Sequence, residues 1–422
     1  MSDQRKIIII GGGILGCSAA YALSKQPNCQ ITLFESNTLA AATTSYAAAL
    51  LTRARQKTVI ADLVRETFIA IEELDQLLGQ KLPYNQVGSL HLGTEPESRQ
   101  QVEQMAQVAA QQNLRVDWLS AHQAMALCPW LDLPEDTLAA LMPDDGFIDP
   151  YQLAIAYAQG SKALTRQPES SSSLEIHQSC RVEKILQQGD KVMGVELASG
   201  EQVCADVVID AAGPWSTMLA RQVGINLAMA PVRSHYWITE ALDSVPTDSP
   251  MVILPDARAY ARPEVGHLLF GLRDYHPIYA SPDKLPQDLA GFSFGQDEQG
   301  WEALEDGYEA FSRFFPGLNQ TGIEHYISSI SSYTPDGAPL IGFLKDSQGK
   351  VLLEGFIAMT GCSGGGIGMS GGMGRLVSEL ALDQQAYTDI KPLAIERFGA
   401  IDPLNEDFQR ECALARCGKR SG

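Results

Sequence analysis

The sequence predicts an α/β chain (α+β, two domains). A Rossmann-like βαβ domain is assembled from both ends of the chain, and a mixed, largely antiparallel β-sheet domain is inserted into it. Three observations predict this. Residues 7–16 read Ile-Ile-Ile-Ile-Gly-Gly-Gly-Ile-Leu-Gly, and the next apolar run closes on Glu35. The densest glycine clusters lie near the two ends, at 11–16 and 361–374. Between them, short apolar runs separated by turn residues dominate positions 228–272, the pattern of an antiparallel sheet.

The opening segment is the most specific. Ile7–Ile10 read as a buried strand, 17–23 as a helix and 31–34 as a second strand. Gly11, Gly13 and Gly16 fit G-x-G-x-x-G. Gly11 permits the tight turn, Gly13 lets backbone approach a pyrophosphate, and Gly16 lets helix and strand pack closely. The helix N-terminus faces the phosphates. Glu35, 19 residues after Gly16, accepts from a ribose 2′-hydroxyl. A lone glycine fingerprint is weak; with strand, helix, second strand and acid in order it is specific.

Composition narrows the class. The 422 residues suffice for two domains with substantial cores. A formal charge of −20 argues against nucleic acid, which needs basic stripes, and against anionic membrane surfaces. Eight cysteines occur without C-x-x-C or zinc spacing, so no metal site is expected and the thiols read as reduced, in a cytoplasmic protein. Arg5-Lys6 before an apolar stretch resembles a secretory leader. Three consecutive glycines weaken that reading, and it leaves the second strand and Glu35 unexplained. No other stretch is long enough for an integral membrane segment.

The expected division is 1–55, 140–225 and 333–400 for the nucleotide-binding domain, 56–139 and 226–332 for the substrate domain, and 401–422 for a C-terminal tail, polar, open to being helical and without a readable functional signal. Helices are expected at 58–80, 96–113, 151–164, 297–314 and 373–382. Strands are expected at 88–93, 180–187, 191–197, 203–210, 228–240, 252–254, 259–262, 267–272, 324–332 and 351–358.

Two further segments carry chemistry. Residues 207–216 are a buried strand running into the small-residue turn Ala211-Ala212-Gly213, where backbone approaches a ligand. Residues 360–369 are glycine-rich and lead into a helix, exposing N–H groups that suit phosphate or developing negative charge. Gly361, Ser363 and Gly365 also fit the G-x-S-x-G of a hydrolase. That reading needs a histidine after the serine, and none of the seven follows Ser363.

Taken together, these segments resemble the FAD-dependent D-amino-acid oxidase superfamily, nearest to glycine/sarcosine oxidases and dimethylglycine/sarcosine dehydrogenases. The resemblance also rests on Gly146-Phe147-Ile148-Asp149-Pro150, on residues 260–264 and on 333–342, and it spans nearly the whole chain. It implies FAD, bound by Gly11, Gly13, Ile14, Leu15, Gly16, Glu35, Ser36, Thr43, Thr44, Ser45 and Leu50. Val182, Ala212, Gly213, Trp215, Ser363, Gly364, Gly365, Gly366, Ile367, Gly368 and Met369 complete that set. The implied chemistry is oxidation of a C–N bond of an amine or amino acid, expected to be secondary or N-substituted, by hydride transfer to flavin. O2 or another electron acceptor then reoxidises it. The alternatives are a 2-hydroxy-acid dehydrogenase and a flavoprotein subunit without its own small substrate.

The departures from the family pattern matter. Tyr46 stands where dimethylglycine dehydrogenases carry flavin on a histidine, and 327–332 lacks the cysteine that holds it in sarcosine oxidases. Non-covalent FAD is therefore expected. Ser331 and Gly364 match the carboxylate-holding arginines of glycine oxidases, Gly368 the corresponding lysine of sarcosine oxidases, and Leu269 the lysine that speeds oxygen reaction there. Candidate replacements for the carboxylate clamp are Arg53, Arg55, Arg233, Arg258 and Arg262, of which Arg53 and Arg262 are expected at the substrate. Tyr260, Arg262 and His235 are the expected catalytic residues. Tyr260 also matches a substrate-pocket tyrosine, and Tyr236 shares the strand of His235.

Overall fold

A computed structural model describes residues 4–418 apart from 290 and 347. A six-stranded sheet runs in the order Leu340–Gly342, Phe356–Thr360, Val207–Asp210, Arg5–Ile10, Cys29–Phe34, Ser173–His177. All pairs are parallel except that of Leu340–Gly342. The four isoleucines are buried because both faces of the central strand are covered. Ile7 and Ile9 pack with helices Ile14–Ser24, Pro150–Thr165 and Gly366–Ala381. Ile8 and Ile10 pack with the small antiparallel sheet built from Val182–Gln188, Lys191–Leu197 and Gln202–Cys204.

An eight-stranded sheet runs Ile323–Tyr333, Ala230–Thr239, His267–Leu272, Ala259–Glu264, Met251–Leu254, Ser89–Gly93, Leu138–Met142, Asp117–Leu119. Only Met251–Leu254 and Ser89–Gly93 pair in parallel. On one face Trp237 stacks on Phe270, and Phe270 on Phe311 of the covering helix Trp301–Ser312. The other face is turned to the site.

The structure departs from expectation in several places. Residues 203–210 are two strands in different sheets, split where the Asp206 carboxylate accepts the Lys6 N–H (2.8 Å) and the Asp206 N–H donates to the Lys6 carbonyl (2.9 Å). The last expected helix begins at Gly366, seven residues early. Its glycines are a packing stripe: a Cβ at Gly372 would stand 2.3 Å from the Leu63 Cα, and one at Gly374 2.6 Å from the Ser18 carbonyl. Close helix contact, not looseness, explains them. The strand expected at 351–358 is Phe356–Thr360, and Val351 makes only an isolated bridge to Lys345. Leu138–Met142 crosses the expected boundary at 140 and belongs to the eight-stranded sheet. The tail contains helix Glu406–Gly418, whose Cys412 and Ala413 pack on Ala230, Val232 and Tyr333. No described helix is long and apolar enough to cross a membrane.

Candidate active site

Parallel register brings the carboxyl ends of the strands together. Ile10 lies opposite both Phe34 and Asp210, and Asp210 opposite Ala358. The loops that follow each strand therefore meet at one edge, where open α/β sheets bind ligands. They open into a cavity of about 990 Å³, at the upper end of small-ligand sites.

The nucleotide half is built from backbone. Gly11 has φ +101°, and a Cβ there would lie 2.6 Å from the Ala211 carbonyl. A Cβ at Gly16 would stand 1.8 Å from the Gly11 carbonyl. Glu35 is held by the Gly12 N–H (2.6 Å) and the Asn37 N–H (2.8 Å). The Ile14 N–H donates to Thr44 Oγ1 (3.0 Å), and Thr43 Oγ1 donates to the Ile330 carbonyl (2.8 Å).

The cavity is bordered by Gly11, Gly13, Ile14, Leu15, Glu35, Ser36, Thr43, Thr44 and Leu50 of the expected cofactor set. Val182, Ala212, Gly213, Trp215 and every residue from Ser363 to Met369 border it too. Gly16 and Ser45 do not. Gly16 is a packing residue, and the Ser45 hydroxyl donates to the Ala40 carbonyl (2.6 Å). The Ser363 hydroxyl bonds the Thr334 N–H (3.2 Å) and lies 3.3 Å from Thr334 Oγ1. It ties two loops together, with no histidine among its partners.

The other half is a wall of the eight-stranded sheet. Tyr260, Ile253 and His91 are direct cross-strand neighbours and all border the cavity. Tyr260 lies across Gly271, where a Cβ would meet its ring at 2.2 Å. Ser329, Ser331 and Tyr333 alternate along one edge strand and border the same space with Ser234 and Tyr236.

Three expectations for substrate and catalytic residues are corrected. Arg262 does not border the cavity: its guanidinium donates to the Ala48 (2.9 Å) and Pro263 (3.0 Å) carbonyls, pairs with Glu264 and lies over Phe147. Nor does Arg53, which donates to the Asp144 carbonyl (3.0 Å) and stacks on Phe68 at 3.6 Å. His235 borders the cavity, but its ring is 0% exposed and turns to the opposite face, against Trp237. There Nδ1 meets the Tyr326 hydroxyl (3.0 Å) and Nε2 lies 3.1 Å from Asp274. Burial outweighs that carboxylate and pushes the ring down to about 4, so it is neutral and structural. Of the other arginines weighed, Arg233 is spent on Asp274 (2.6 Å) and Asp297 (2.9 Å). Arg258 donates to the Cys417 carbonyl (2.5 Å). Arg55 borders the cavity and donates to Thr52 Oγ1 (2.5 Å) and the Ala54 carbonyl (2.8 Å).

The sequence reading missed Arg273, Arg416, Tyr333 and His91. Arg273 directly follows an expected strand, and Tyr333 opens the Thr-Pro-Asp segment, so both were within reach. Arg416 had no signal. Its Nε donates to Asp274 (3.0 Å) and its Nη1 to the Tyr333 hydroxyl (3.4 Å). Burial raises the Tyr333 phenol, but Arg416 and Arg273 outweigh it and hold the group below its usual value. Behind the wall, Ser89 donates to Asp145 (2.6 Å) and lies 3.0 Å from His91 Nε2. Burial pushes His91 down to about 4 and Asp145 up to about 6.

A glycine cradle at a helix N-terminus, an acid fixed by backbone amides and a second glycine loop opposite fit a dinucleotide. A separate polar chamber on the same cavity fits the substrate of a redox enzyme. This is a dinucleotide site with a second chamber beside it. Residues 6–380 match the FAD dependent oxidoreductase (DAO) family, to which the chain belongs, and its cofactor is FAD.

Among its relatives is 4-methylaminobutanoate oxidase (formaldehyde-forming) of Paenarthrobacter nicotinovorans, 27% identical over 93% of this chain and 45% of the relative. Glycine oxidase of Bacillus subtilis (strain 168) is 25% identical over 95% of this chain and all of the relative. L-proline dehydrogenase from P. horikoshii shares the fold, with TM-score 0.78 and 19% identity over 94% and 98% of the two chains. The chain spans less than half the length of the first curated relatives it matches.

Proposed function

We propose that this chain oxidises a carbon–nitrogen bond of a small amine or amino acid, a secondary or N-substituted one, using non-covalently held FAD. The observation that carries this is one continuous cavity. It joins the dinucleotide cradle to a chamber walled by Tyr236, Tyr260, Ser331 and Tyr333. The names of the relatives, which act on 4-methylaminobutanoate and glycine, support the substrate class.

When bound, FAD supplies the hydride acceptor. The chain's own residues prepare the donor. Arg273 and Arg416 border the chamber, and their charges disfavour a protonated ammonium beside them, so the amine is held neutral with its lone pair available. The aromatic walls position the substrate. With Asp145 ionised, the Ser89 hydroxyl donates its one hydrogen bond to it and His91 Nε2–H donates to Ser89. This leaves Nδ1 as the acceptor of a neutral ring. The imine formed is hydrolysed by water afterwards.

Anaerobic mixing of the holoenzyme with N-methyl amino acids, primary amino acids and 2-hydroxy acids tests the reaction. Amines are expected to bleach the visible flavin absorbance. Bleaching by hydroxy acids alone would replace the proposal with the alternative chemistry. Peroxide formed in air then identifies O2 as acceptor, and its absence another acceptor.

Tyr46 borders the cavity, and a tyrosine there supports non-covalent binding. Acid precipitation is expected to leave the yellow colour in the supernatant; a yellow pellet would refute it. All eight cysteines are free thiols, which supports a cytoplasmic location.

A further inference from the structure

His91 stands on strand Ser89–Gly93 in the wall of the chamber and is only 6% exposed. Ile253 is its direct neighbour across the sheet, and Tyr260 is the next. Met142, opposite Ser89 on the adjoining strand, borders the cavity too.

A chain of hydrogen bonds behind the wall orients the ring. Asp145 is buried, and an ionised carboxylate can only accept. One of its oxygens takes the Arg53 N–H (2.8 Å) and the other the Ser89 hydroxyl (2.6 Å). Ser89 has then given its only hydrogen, so its oxygen accepts from His91 Nε2 at 3.0 Å. Burial, with the Arg55 charge adding to it, pushes the ring down to about 4. The imidazole is therefore neutral, with its hydrogen on Nε2 and a lone pair on Nδ1. No described residue bonds Nδ1, and it is not among the enclosed polar atoms that lack a partner. It opens on the cavity that His91 borders.

The polar side chains around it behave differently. The guanidiniums of Arg55 and Arg273 can only donate, and the hydroxyls of Ser234, Ser331 and Tyr333 can turn either way. His91 Nδ1 can only accept.

We propose that His91 Nδ1 accepts the N–H of the substrate, so that the substrate is a primary or secondary amine and not a tertiary one. With its N–H directed to Nδ1, the amine keeps its lone pair free for the carbon–nitrogen double bond. A neutral tertiary amine would turn an alkyl group to Nδ1 and leave it unpaired, and sites built to bond a hydrogen reject analogues that lack it. Ser89 and Asp145 are positioning residues that fix the tautomer. The amine part rests on the function proposed above; the acceptor does not.

Pyrrole and furan test the acceptor. They are uncharged rings of similar size, and only pyrrole carries an N–H. Each is titrated into the FAD-loaded enzyme while the visible flavin spectrum is followed. Pyrrole is expected to perturb the spectrum at concentrations about fivefold or more below furan. His91→Leu is expected to erase that preference. Ser89→Ala leaves the ring in place but frees its tautomer, and is expected to reduce the preference by about twofold or more. It keeps the test decisive should His91→Leu fail to hold FAD. In anaerobic mixing, N-methyl amines are expected to bleach the wild type about tenfold faster than their N,N-dimethyl forms.

Equal binding of the two rings by the wild type overturns the acceptor, and so does a pyrrole preference that survives both His91→Leu and Ser89→Ala. Equal or faster bleaching by the N,N-dimethyl forms overturns the assignment of the substrate. Failure of the amine chemistry is seen separately. Bleaching by 2-hydroxy acids alone would end that reading, while the preference for pyrrole would stand.

Discussion

Gly16→Ala is expected to purify colourless and to unfold at lower denaturant than the wild type. The added Cβ would lie 1.8 Å from the Gly11 carbonyl and 3.3 Å from Ile9 Cγ2. Neither neighbour is the free end of a flexible side chain. Helix Ile14–Ser24 must move away from the central strand, and overpacking of this kind costs about 1–3 kcal/mol. The same movement displaces the helix N-terminus from the phosphate position, where backbone N–H groups do the binding. Gly13→Ala separates the two effects. A Cβ at Gly13 meets only Thr44 Oγ1, at 3.2 Å, so the fold is expected to survive while approach of the pyrophosphate is blocked. The visible absorbance of each purified variant, with its urea midpoint, checks both. A yellow Gly16→Ala protein with wild-type stability would mean that the close packing here does not govern cofactor binding.

The nucleotide half of the site was legible because its determinants are local. Gly11, Gly13, Gly16 and Glu35 fall within one βαβ unit, and each is a backbone or packing requirement that restricts residue type. The chamber half was legible only where a single strand carried it, as with Tyr260. Its polar network is assembled from Arg273, Asp274, Arg233, His235, Tyr333 and Arg416, drawn from three strand regions and a distant terminal helix. No spacing announces that assembly. Arg262 and Arg53 were attractive because arginine binds carboxylates, but nearby carbonyls, Glu264 and Phe68 had already claimed them. The glycines of 366–374 misled in the opposite direction. They read as a loop by propensity, yet tertiary packing against Leu63 and Ser18 requires small residues in a helix.

Asp274→Asn is expected to cost about 3–5 kcal/mol, the range for breaking a buried ion pair from one side. The carboxylate receives Arg233 at 2.6 Å, Arg416 at 3.0 Å and His235 at 3.1 Å. An amide is the same size, but it offers one acceptor and turns N–H groups toward guanidiniums. Arg233 would keep Asp297 (2.9 Å), whereas Arg416 would keep only the long bond to Tyr333 (3.4 Å) among its side-chain contacts. The pH dependence tests the cause. Burial raises Asp274, but Arg416, His235 and Arg233 outweigh it and hold the carboxyl far below its ordinary 3.8. A depressed carboxylate contributes stability above its unfolded value and loses it only as pH falls through the folded one. The deficit of Asp274→Asn should therefore stay constant from pH 8 to about pH 5. His235 acts in that interval on its own account. Its folded value of about 4 lies below the ordinary 6.5, and loss of Asp274, which raises it, lowers it further, so the unfolded chain binds the extra proton and both proteins lose roughly 1.5 kcal/mol as pH falls from 6.5 to 5. Urea midpoints across this range, followed by tryptophan fluorescence, should show two curves falling in parallel. Curves that draw apart as pH falls through 6 would place Asp274 above the ordinary carboxylate range, and the shared ion pair could not then be what holds Arg416 at the cavity wall.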